Sequence, residues 1–496
     1  MNRARRREWI GLAILTLPCL IYSMDLTVLN LAVPALSAAL RPTATQLLWI
    51  LDIYGFFLAG MLVTMAALGD RIGRRRLLLS GAFAFAVTSV IASLSSSPEV
   101  LILTRAILGV AGATLAPATL SLIRTLFHDD HERRIAISVW AASFSTGAAV
   151  GPLIGGFLLQ YFWWGSVLLV ALPVMVLLLA LGPRFLPEYR VQSSGKIDVL
   201  SAVLSLMAVL GPIYGLKRAV EHGIDSTAVS CIIVGLVLGI VFFRRQLRLK
   251  SPMIDPRLFR SRSFTTALAI YVLGSFVTFG CFVFISQYIQ LVLGIDPLEA
   301  GLWSLPFGVV LVLGSLLTPV MARYLKHSTL IISGLLLAIV GFALLSRVDR
   351  TTSPEVLCAT CCTYYFGFAC VFTLVTDIIV GSVSPAEAGA ASSVSEAGSE
   401  LGGALGIAVL GCIGTAVYRA VLSHSGLPPH DFETSTFAAV VRESHQAGGL
   451  LGSELLQASR NAFVQAIRTA AIVSIGILGV ATVMAMRGLD LPKVRR

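Results

Sequence analysis

Charged side chains are scarce in this chain. Asp, Glu, Lys and Arg make up 13% of its 496 residues, whereas soluble domains carry about 25%. Hydrophobic residues account for 56%, and they are concentrated in blocks long enough to cross a bilayer, which takes roughly 20 residues. A chain of this composition cannot cover itself with an ordinary water-facing surface, so we exclude a soluble protein.

Catalytic and metal-binding motifs are also missing. The sequence contains no G-x-S-x-G, no H-E-x-x-H and no phosphate-binding glycine loop. The eight cysteines lie mainly in apolar blocks, where cysteine behaves as a small hydrophobic residue. The acids and histidines of "HDDHERR" (128–134) have no matching ligand set elsewhere. We therefore expect no enzymatic activity, no metal site and no cofactor.

Fourteen apolar segments follow one another along the chain, and they predict an all-α polytopic membrane protein. The first segment is too long for a signal-peptide core and lacks a small-residue cleavage site, so we expect it to stay attached. The predicted spans, numbered 1 to 14, are 10–34, 47–69, 77–96, 100–127, 135–158, 163–182, 197–217, 226–243, 263–292, 299–322, 329–347, 355–380, 391–422 and 463–486.

The net charge of +11 is unevenly distributed between the predicted loops. With the N-terminus in the cytoplasm, 26 of the 37 basic residues fall on the cytoplasmic side. The short loops of the opposite side hold only Arg41, Lys217, Arg218, Arg347 and Arg350. This asymmetry follows the positive-inside rule and predicts that both termini are cytoplasmic. The basic excess gives no reason to expect nucleic acid as a partner.

The fourteen spans are divided by pattern into six, two and six. The loop after span 2 (68–81) is weakly echoed after span 10 (320–333), as expected of two repeated halves around a substrate site at the bilayer midplane. We predict an N-terminal six-helix bundle over 1–187, two linker helices over 188–250 that fill the gap between the halves, and a C-terminal six-helix bundle over 251–496.

One outer loop, residues 423–462, is much longer than the others. Apolar residues at helical spacing on either side of Gly448-Gly449 predict two short amphipathic helices joined by a turn. The hairpin is either a lid on the membrane surface or a gate.

Five ionisable residues lie deep in the apolar spans, where charge is costly and usually functional. Asp25, Asp52 and Arg105 fall in the outer half of the bilayer. Glu396 and Glu400 lie one helical turn apart in span 13 and approach from the inner side. As the only deep basic residue, Arg105 either pairs with one of the aspartates to hold helices together or takes part in coupling. The glutamates lack a visible basic partner, so each can bind a proton and a cation in turn.

Aromatic residues accompany these acids. Trp49 and Tyr54 flank Asp52, and Trp140 and Phe144 lie in span 5. Aromatic faces attract organic cations, so these four residues are candidates to line a site for a flat lipophilic cation. Ordinary packing against lipid or protein is the alternative for each of them.

The stretch "GAAVGPLIGG" (147–156) places glycine at every fourth position of span 5. Such a stripe lets another helix approach closely, and Pro152 removes a backbone hydrogen bond and bends the helix. We expect the stripe, formed by Gly147, Gly151 and Gly155 with Gly156 beside it, to seal against a helix of the other half and to act as a conformational gate.

Several of these segments resemble motifs of the major facilitator superfamily. The glycine stretch resembles its antiporter motif, and "GDRIGRRR" (69–76) is similar to its loop motif after span 2, with Asp70, Arg71, Gly73 and Arg74 in matching places. "MDLTVLNLAVP" (24–34) and "ELGGALGIAVLG" (400–411) resemble spans 1 and 13 of the fourteen-helix drug/proton antiporters. The resemblance implies that Asp25 and Glu396 occupy positions linked to proton and drug binding, and that the loop residues are part of the conformational gate.

The sequence and this resemblance together predict a proton-coupled antiporter. It would export lipophilic cationic drugs and biocides, such as quaternary ammonium compounds and dyes, across the bacterial inner (plasma) membrane. A major facilitator symporter, or an exporter of one metabolite or antibiotic, remains the alternative. The expected partners are small lipophilic cations, protons and the lipid bilayer, with the protein acting as a monomer without a cofactor.

Overall fold

The computed structural model describes residues 6–127, 129–188, 198–249, 252, 256–383, 388–425, 436–447 and 449–489. Within these ranges fourteen helical segments are long and apolar enough to cross a membrane, and there is no strand. The predicted all-α membrane fold is thereby confirmed. The spans are Arg6–Leu40, Ala44–Ile72, Arg74–Ser93, Pro98–Leu126, Asp130–Tyr161, Ser166–Phe185, Val199–His222, Ser226–Arg248, Arg262–Val292, Pro297–Met321, His327–Leu345, Pro354–Gly381, Ala388–Ser423 and Gly449–Gly488.

Local sequence explains where several spans begin and break. Thr43 and Gln46 form a capping box that satisfies backbone N–H groups at the start of span 2. Asp198 and Asp225 cap spans 7 and 8, each by accepting one hydrogen bond from the backbone N–H three residues further on. Span 4 is broken between Gly112 and Leu115, because the ring of Pro117 is incompatible with an unbroken helix four residues earlier.

The spans pack into two halves with separate apolar cores, one within spans 1–6 and one within spans 9–14. Span 5 packs along span 10, and span 2 packs along span 13. Span 7 contacts both span 2 and span 13, and span 8 packs on span 7. The inserted pair therefore touches both halves along one of the two seams between them.

The two halves are in close contact on one side of the bundle. We call the side where span 1 begins and span 14 ends the terminal side, and the opposite side the distal side. On the distal side, Gly156 of span 5 lies against the backbone of Pro297 and Leu298 in span 10. Towards the terminal side, an apolar cavity of about 350 Å³ separates span 2 at Phe56 from span 13 at Leu401. The structure is thus closed on the distal side.

The hairpin between spans 13 and 14 differs in one respect from the prediction. Its first arm is a short helix, Phe437–Ala447, which we call the outer helix. Its second arm is not a separate helix but the start of the 40-residue helix Gly449–Gly488, because no proline interrupts 449–463. At 1.5 Å per residue this helix is about 60 Å long, so it extends well beyond the apolar core. Residues 426–435 and Gly448 of the predicted hairpin lie outside the described residues.

Arginine side chains bind the distal ends of several spans. The last carbonyl groups of a helix lack intrahelical donors and carry the negative end of the helix dipole. Arg442 of the outer helix donates to the Ala38 carbonyl of span 1 at 2.9 Å. Three further guanidinium groups donate to backbone carbonyl groups at the distal ends of spans 7, 9 and 11. The pairs are Arg419 with Val220, Arg460 with Leu291 and Arg468 with Val348. Of these contacts, the one between Arg442 and Ala38 joins the two halves on the distal side.

Candidate functional site

A cavity of about 230 Å³ lies between the two halves, near the middle of the spans. Glu396 and Glu400 of span 13 both line it, one helical turn apart as expected. The Tyr22 hydroxyl of span 1 donates to Glu400 Oε1 at 3.0 Å and so joins the two halves across the cavity. Within the described part of the chain neither glutamate forms an ion pair. The cavity therefore presents acidic groups without a compensating positive charge.

Aromatic rings form much of the remaining wall. Phe144 lines the cavity and packs edge-on against Tyr22, with ring centroids 5.5 Å apart. Trp140 supports Phe144 from behind at 4.8 Å, and its indole N–H is bonded to Thr119 at 3.0 Å. Further rings from spans 9, 10 and 12 were missed by the sequence analysis: Tyr271, Phe279, Phe282, Phe307, Tyr365 and Phe372. An acidic cavity with aromatic walls suits an organic cation, which gains from both the charge and the ring faces.

Asp25 and Arg105 form a buried ion pair within the N-terminal half. Arg105 Nη1 lies 2.6 Å from Asp25 Oδ2, and the two side chains are only 2% and 9% exposed. The guanidinium group also donates to the Ile50 carbonyl and stands 4.6 Å above the centre of the Tyr54 ring. The sequence left Asp25 and Asp52 open as partners for Arg105, and in the structure the partner is Asp25. The pair joins spans 1, 2 and 4 and does not line the cavity.

Asp52 has a partner that the sequence analysis placed elsewhere. Lys217 was expected in an outer loop and Arg105 was taken as the only deep basic residue; both expectations are wrong. Span 7 continues as a helix to His222, and Lys217 lies inside the protein with its Nζ 2.6 Å from Asp52 Oδ2. Both side chains are 0% exposed. Lys217 also contacts the face of the Trp49 ring at 3.6 Å.

Two of the four aromatic candidates therefore have another place in the structure. Trp49 packs on Lys217, and Tyr54 is fully buried against Arg105. Neither contributes to the wall of the central cavity. The physical reason is that each ring lies beside a buried cation of the protein itself. Of the four, only Phe144 lines the cavity, with Trp140 packed behind it.

The glycine stripe of span 5 faces a different helix from the one expected. A β-carbon at Gly147 would meet the Leu20 carbonyl, and one at Gly155 would meet Val28 Cγ2 at 2.6 Å. Gly151 likewise lies against span 1. The stripe thus packs on span 1 of its own half, which corrects the prediction. Gly156, one residue outside the stripe, contacts span 10 of the other half, as do Ala149 and Pro152.

Residues of the loop motif after span 2 form a compact network on the terminal side. Gly73 has φ +113°, a conformation that favours glycine, and the Glu188 carboxylate occupies the space where a β-carbon would lie. Asp70 accepts a hydrogen bond from Arg74 at 2.5 Å. Arg71 is exposed. Glu188, which the sequence analysis did not single out, lies 3.6 Å from both Arg75 and Arg76 and ties this loop to the end of span 6.

A solved structure shares this fold. A crystal structure of a bacterial homologue of the human lysosomal transporter Spinster, in an inward-facing and unoccupied conformation, superposes with a TM-score of 0.69. It is 16% identical in sequence and the match covers 99% of this chain and 100% of that one. At this identity the likeness shows the fold alone.

Two curated relatives are much more similar in sequence. The multidrug efflux pump LfrA of Mycolicibacterium smegmatis is 41% identical over 98% of this chain and 97% of its own length. The methyl viologen resistance protein SmvA of Salmonella typhimurium is 32% identical over 92% of this chain and 93% of its own length. The profile of the Major Facilitator Superfamily matches residues 16–407. These are transporters rather than enzymes, and the chain belongs to the Major Facilitator Superfamily, in the branch of multi-pass membrane proteins that export drugs.

Proposed function

We propose that this protein is a proton-coupled antiporter that exports lipophilic cations, such as quaternary ammonium compounds and cationic dyes. The observation that carries the proposal is the central cavity, where Glu396 and Glu400 face aromatic rings without a cationic side chain beside them. A lipophilic cation would supply the missing positive charge, and its flat surface would contact rings such as Phe144. Methyl viologen, named for the relative SmvA, is an organic cation of this kind.

The same two glutamates provide the coupling. At rest one proton is shared by the carboxyl groups of Glu396 and Glu400. A cation that enters the cavity favours the anionic form of these groups, so the proton is expelled. When a proton returns, the neutral acid no longer holds the cation, which is then released. Since only one ligand compensates the charge at a time, drug and proton move in opposite directions. No cofactor is needed, because the proton gradient supplies the free energy, and a monomer holds the complete site.

The orientation of the protein in the membrane is inferred from the charge of the loops. The positive-inside rule assigns the terminal side, with its basic loops, to the cytoplasm. The closed distal side then faces outwards, and the central cavity is in the state that receives drug from the cell. We therefore expect the protein in the bacterial plasma membrane with both termini cytoplasmic.

Substrate-induced proton release tests the proposal directly. Purified protein in weakly buffered detergent is mixed with ethidium or benzalkonium, and a pH-sensitive dye reports released protons. We expect release from the unsubstituted protein and its loss in Glu396→Gln and Glu400→Gln. Asp377→Asn is the matched control, because this span 12 carboxylate is 75% exposed and lies away from the cavity. Release that persists in both glutamate variants would contradict the assignment, and proton uptake on drug addition would favour a symporter.

A further inference from the structure

Three cavities adjoin one another: two lie along the seam between span 2 and span 13, and the third lies beside them. The distal one, of about 60 Å³, is lined by Leu48, Leu51, Gly411, Thr415 and Tyr418 and is covered by Phe437 of the outer helix. A middle one of about 20 Å³ lies next to it. The third is the central cavity.

The three cavities share their walls. Leu51 borders both the distal and the middle cavity, whereas Glu400 and Phe279 border both the middle and the central one. A cavity holds a water molecule when its volume reaches about 10–15 Å³ and polar partners are present, and both conditions are met here. The distal cavity offers Thr415 and the Tyr418 hydroxyl, which is buried without a hydrogen-bond partner among the described residues. A row of water-sized spaces thus leads from the outer helix to Glu400.

Asp52 stands in the middle of this row. Its carboxylate lines the 20 Å³ cavity together with Glu400. Oδ2 is bonded to Lys217, while Oδ1 is buried and has no hydrogen-bond partner among the described residues. A buried acceptor of this kind is costly unless another group binds to it. A water molecule in the 20 Å³ cavity would bind Oδ1, and an incoming proton would be accepted by this oxygen because Oδ2 is held by Lys217.

We propose that protons reach Glu400 from the distal side through these cavities, with Asp52 as the intermediate carrier and Lys217 of the inserted helix pair as its fixed counter-ion. The inference rests on the proposed function, because it supplies the path for the proton that the antiporter requires. A proton arriving through the distal cavity binds Asp52 Oδ1 and restores a neutral carboxyl group. It then passes through one water molecule to the Glu400 carboxylate, and Asp52 returns to its anionic form.

The surroundings of Asp52 support this role. The neighbouring helices bring several titratable or charged groups close to Asp52. Span 7 contributes Lys217, and span 13 contributes Glu400 and Cys412. The Asp25–Arg105 pair lies near span 2, where Arg105 is bonded to the Ile50 carbonyl. The Asp25–Arg105 pair lines none of the three cavities. Of the carboxyl groups in the described spans, only Asp52 and Glu400 face the middle cavity. Span 7 therefore contributes to coupling and does not serve only as a spacer.

The proposal separates two activities that can be measured on the same proteoliposomes. Exchange of labelled tetraphenylphosphonium at equal pH on both sides needs the central cavity but no proton delivery. Accumulation driven by a pH gradient needs both, and a dye inside the vesicles reports the proton flux. Three variants are compared: Asp52→Asn, the charge-balanced Asp52→Asn/Lys217→Gln, which keeps the protein foldable, and Leu51→Phe, which narrows the passage. Asp377→Asn and the lipid-exposed Leu103→Phe are their matched controls.

We expect gradient-driven accumulation to fall by about a hundredfold or more in the charge-balanced variant, as for loss of a proton-transfer group, while exchange is unchanged. Gradient-driven accumulation should also fall in Leu51→Phe, whereas both controls should accumulate the cation as the unsubstituted protein does. Driven accumulation that survives in the charge-balanced variant and in Leu51→Phe overturns the route. Equal loss of exchange and driven accumulation also overturns it, because the seam would then serve drug movement. Absence of driven accumulation in the unsubstituted protein would instead refute the proposed function.

Discussion

Gly156 is the residue of span 5 that lies against the first turn of span 10, across the two halves. A β-carbon here would lie 3.0 Å from Leu298 Cα and even closer to the Pro297 carbonyl oxygen. Both are backbone atoms at the start of span 10, so a methyl group fits only if the whole helix moves. Since this contact joins the halves on the distal side, Gly156→Ala should oppose the distal-closed conformation.

The size of the effect follows from the cost of overpacking. One extra methyl group in a tightly packed site costs about 1–3 kcal/mol. When that cost falls on one of two conformations, the ratio of their populations changes by about 5–150-fold. We therefore expect the distal-open population of Gly156→Ala to rise by a factor in this range.

Electron paramagnetic resonance distances between two spin labels measure this population. Gln160 in the N-terminal half and Arg350 in the C-terminal half are both exposed near the distal side and can be replaced by labelled cysteines in a chain without its native cysteines. Gly155→Ala is the matched control, because its methyl group would meet the Val28 side chain of the same half and so burden both conformations equally. An unchanged distance distribution in Gly156→Ala, or an equal shift in both variants, would refute this reasoning.

Three further variants test the buried charges and the terminal loop. Lys217→Met should lower the free energy of unfolding by about 3–5 kcal/mol, because it leaves the Asp52 carboxylate unpaired in the interior; thermal unfolding in detergent should show most of this loss recovered in the double variant Asp52→Asn/Lys217→Met. Asp25→Asn leaves Arg105 unpaired and should abolish export of monovalent cations, so normal resistance of cells to benzalkonium would contradict the expectation. Asp70→Asn should slow turnover far more than it weakens drug binding, and weaker equilibrium binding with unchanged turnover would argue against a role in conformational change.

The sequence predicted the fold well because the bilayer restricts it so strongly. Length and hydropathy were enough to predict all fourteen spans, and the breaks near proline follow from local chemistry. Glu396 and Glu400 could be placed on one face because their spacing is that of a helical turn. Charge was less informative at the ends of spans. Lys217 follows an apolar run and precedes Arg218, so it was read as part of a loop, although the helix extends past it.

What the sequence could not provide was the pairing between distant helices. Lys217 is buried because Asp52 lies opposite it, and these two residues are 165 positions apart. The glycine stripe predicts a close helix contact, but its spacing does not say whether the partner is span 1 or a helix of the other half. The rings of spans 9, 10 and 12 resemble ordinary core residues in the sequence, and only the folded arrangement brings them to the cavity.

The position of the inserted helices makes this bundle unequal on its two flanks. Span 7 lies across the seam between spans 2 and 13, and with span 8 it helps to enclose the apolar cavity on that flank. Among the described helices, neither span 7 nor span 8 packs against span 5 or span 10 with more than marginal contact. On the other flank spans 5 and 10 pack directly on each other without an added helix. The two seams of the bundle are therefore closed to lipid in different ways, one by direct helix packing and the other by the inserted pair.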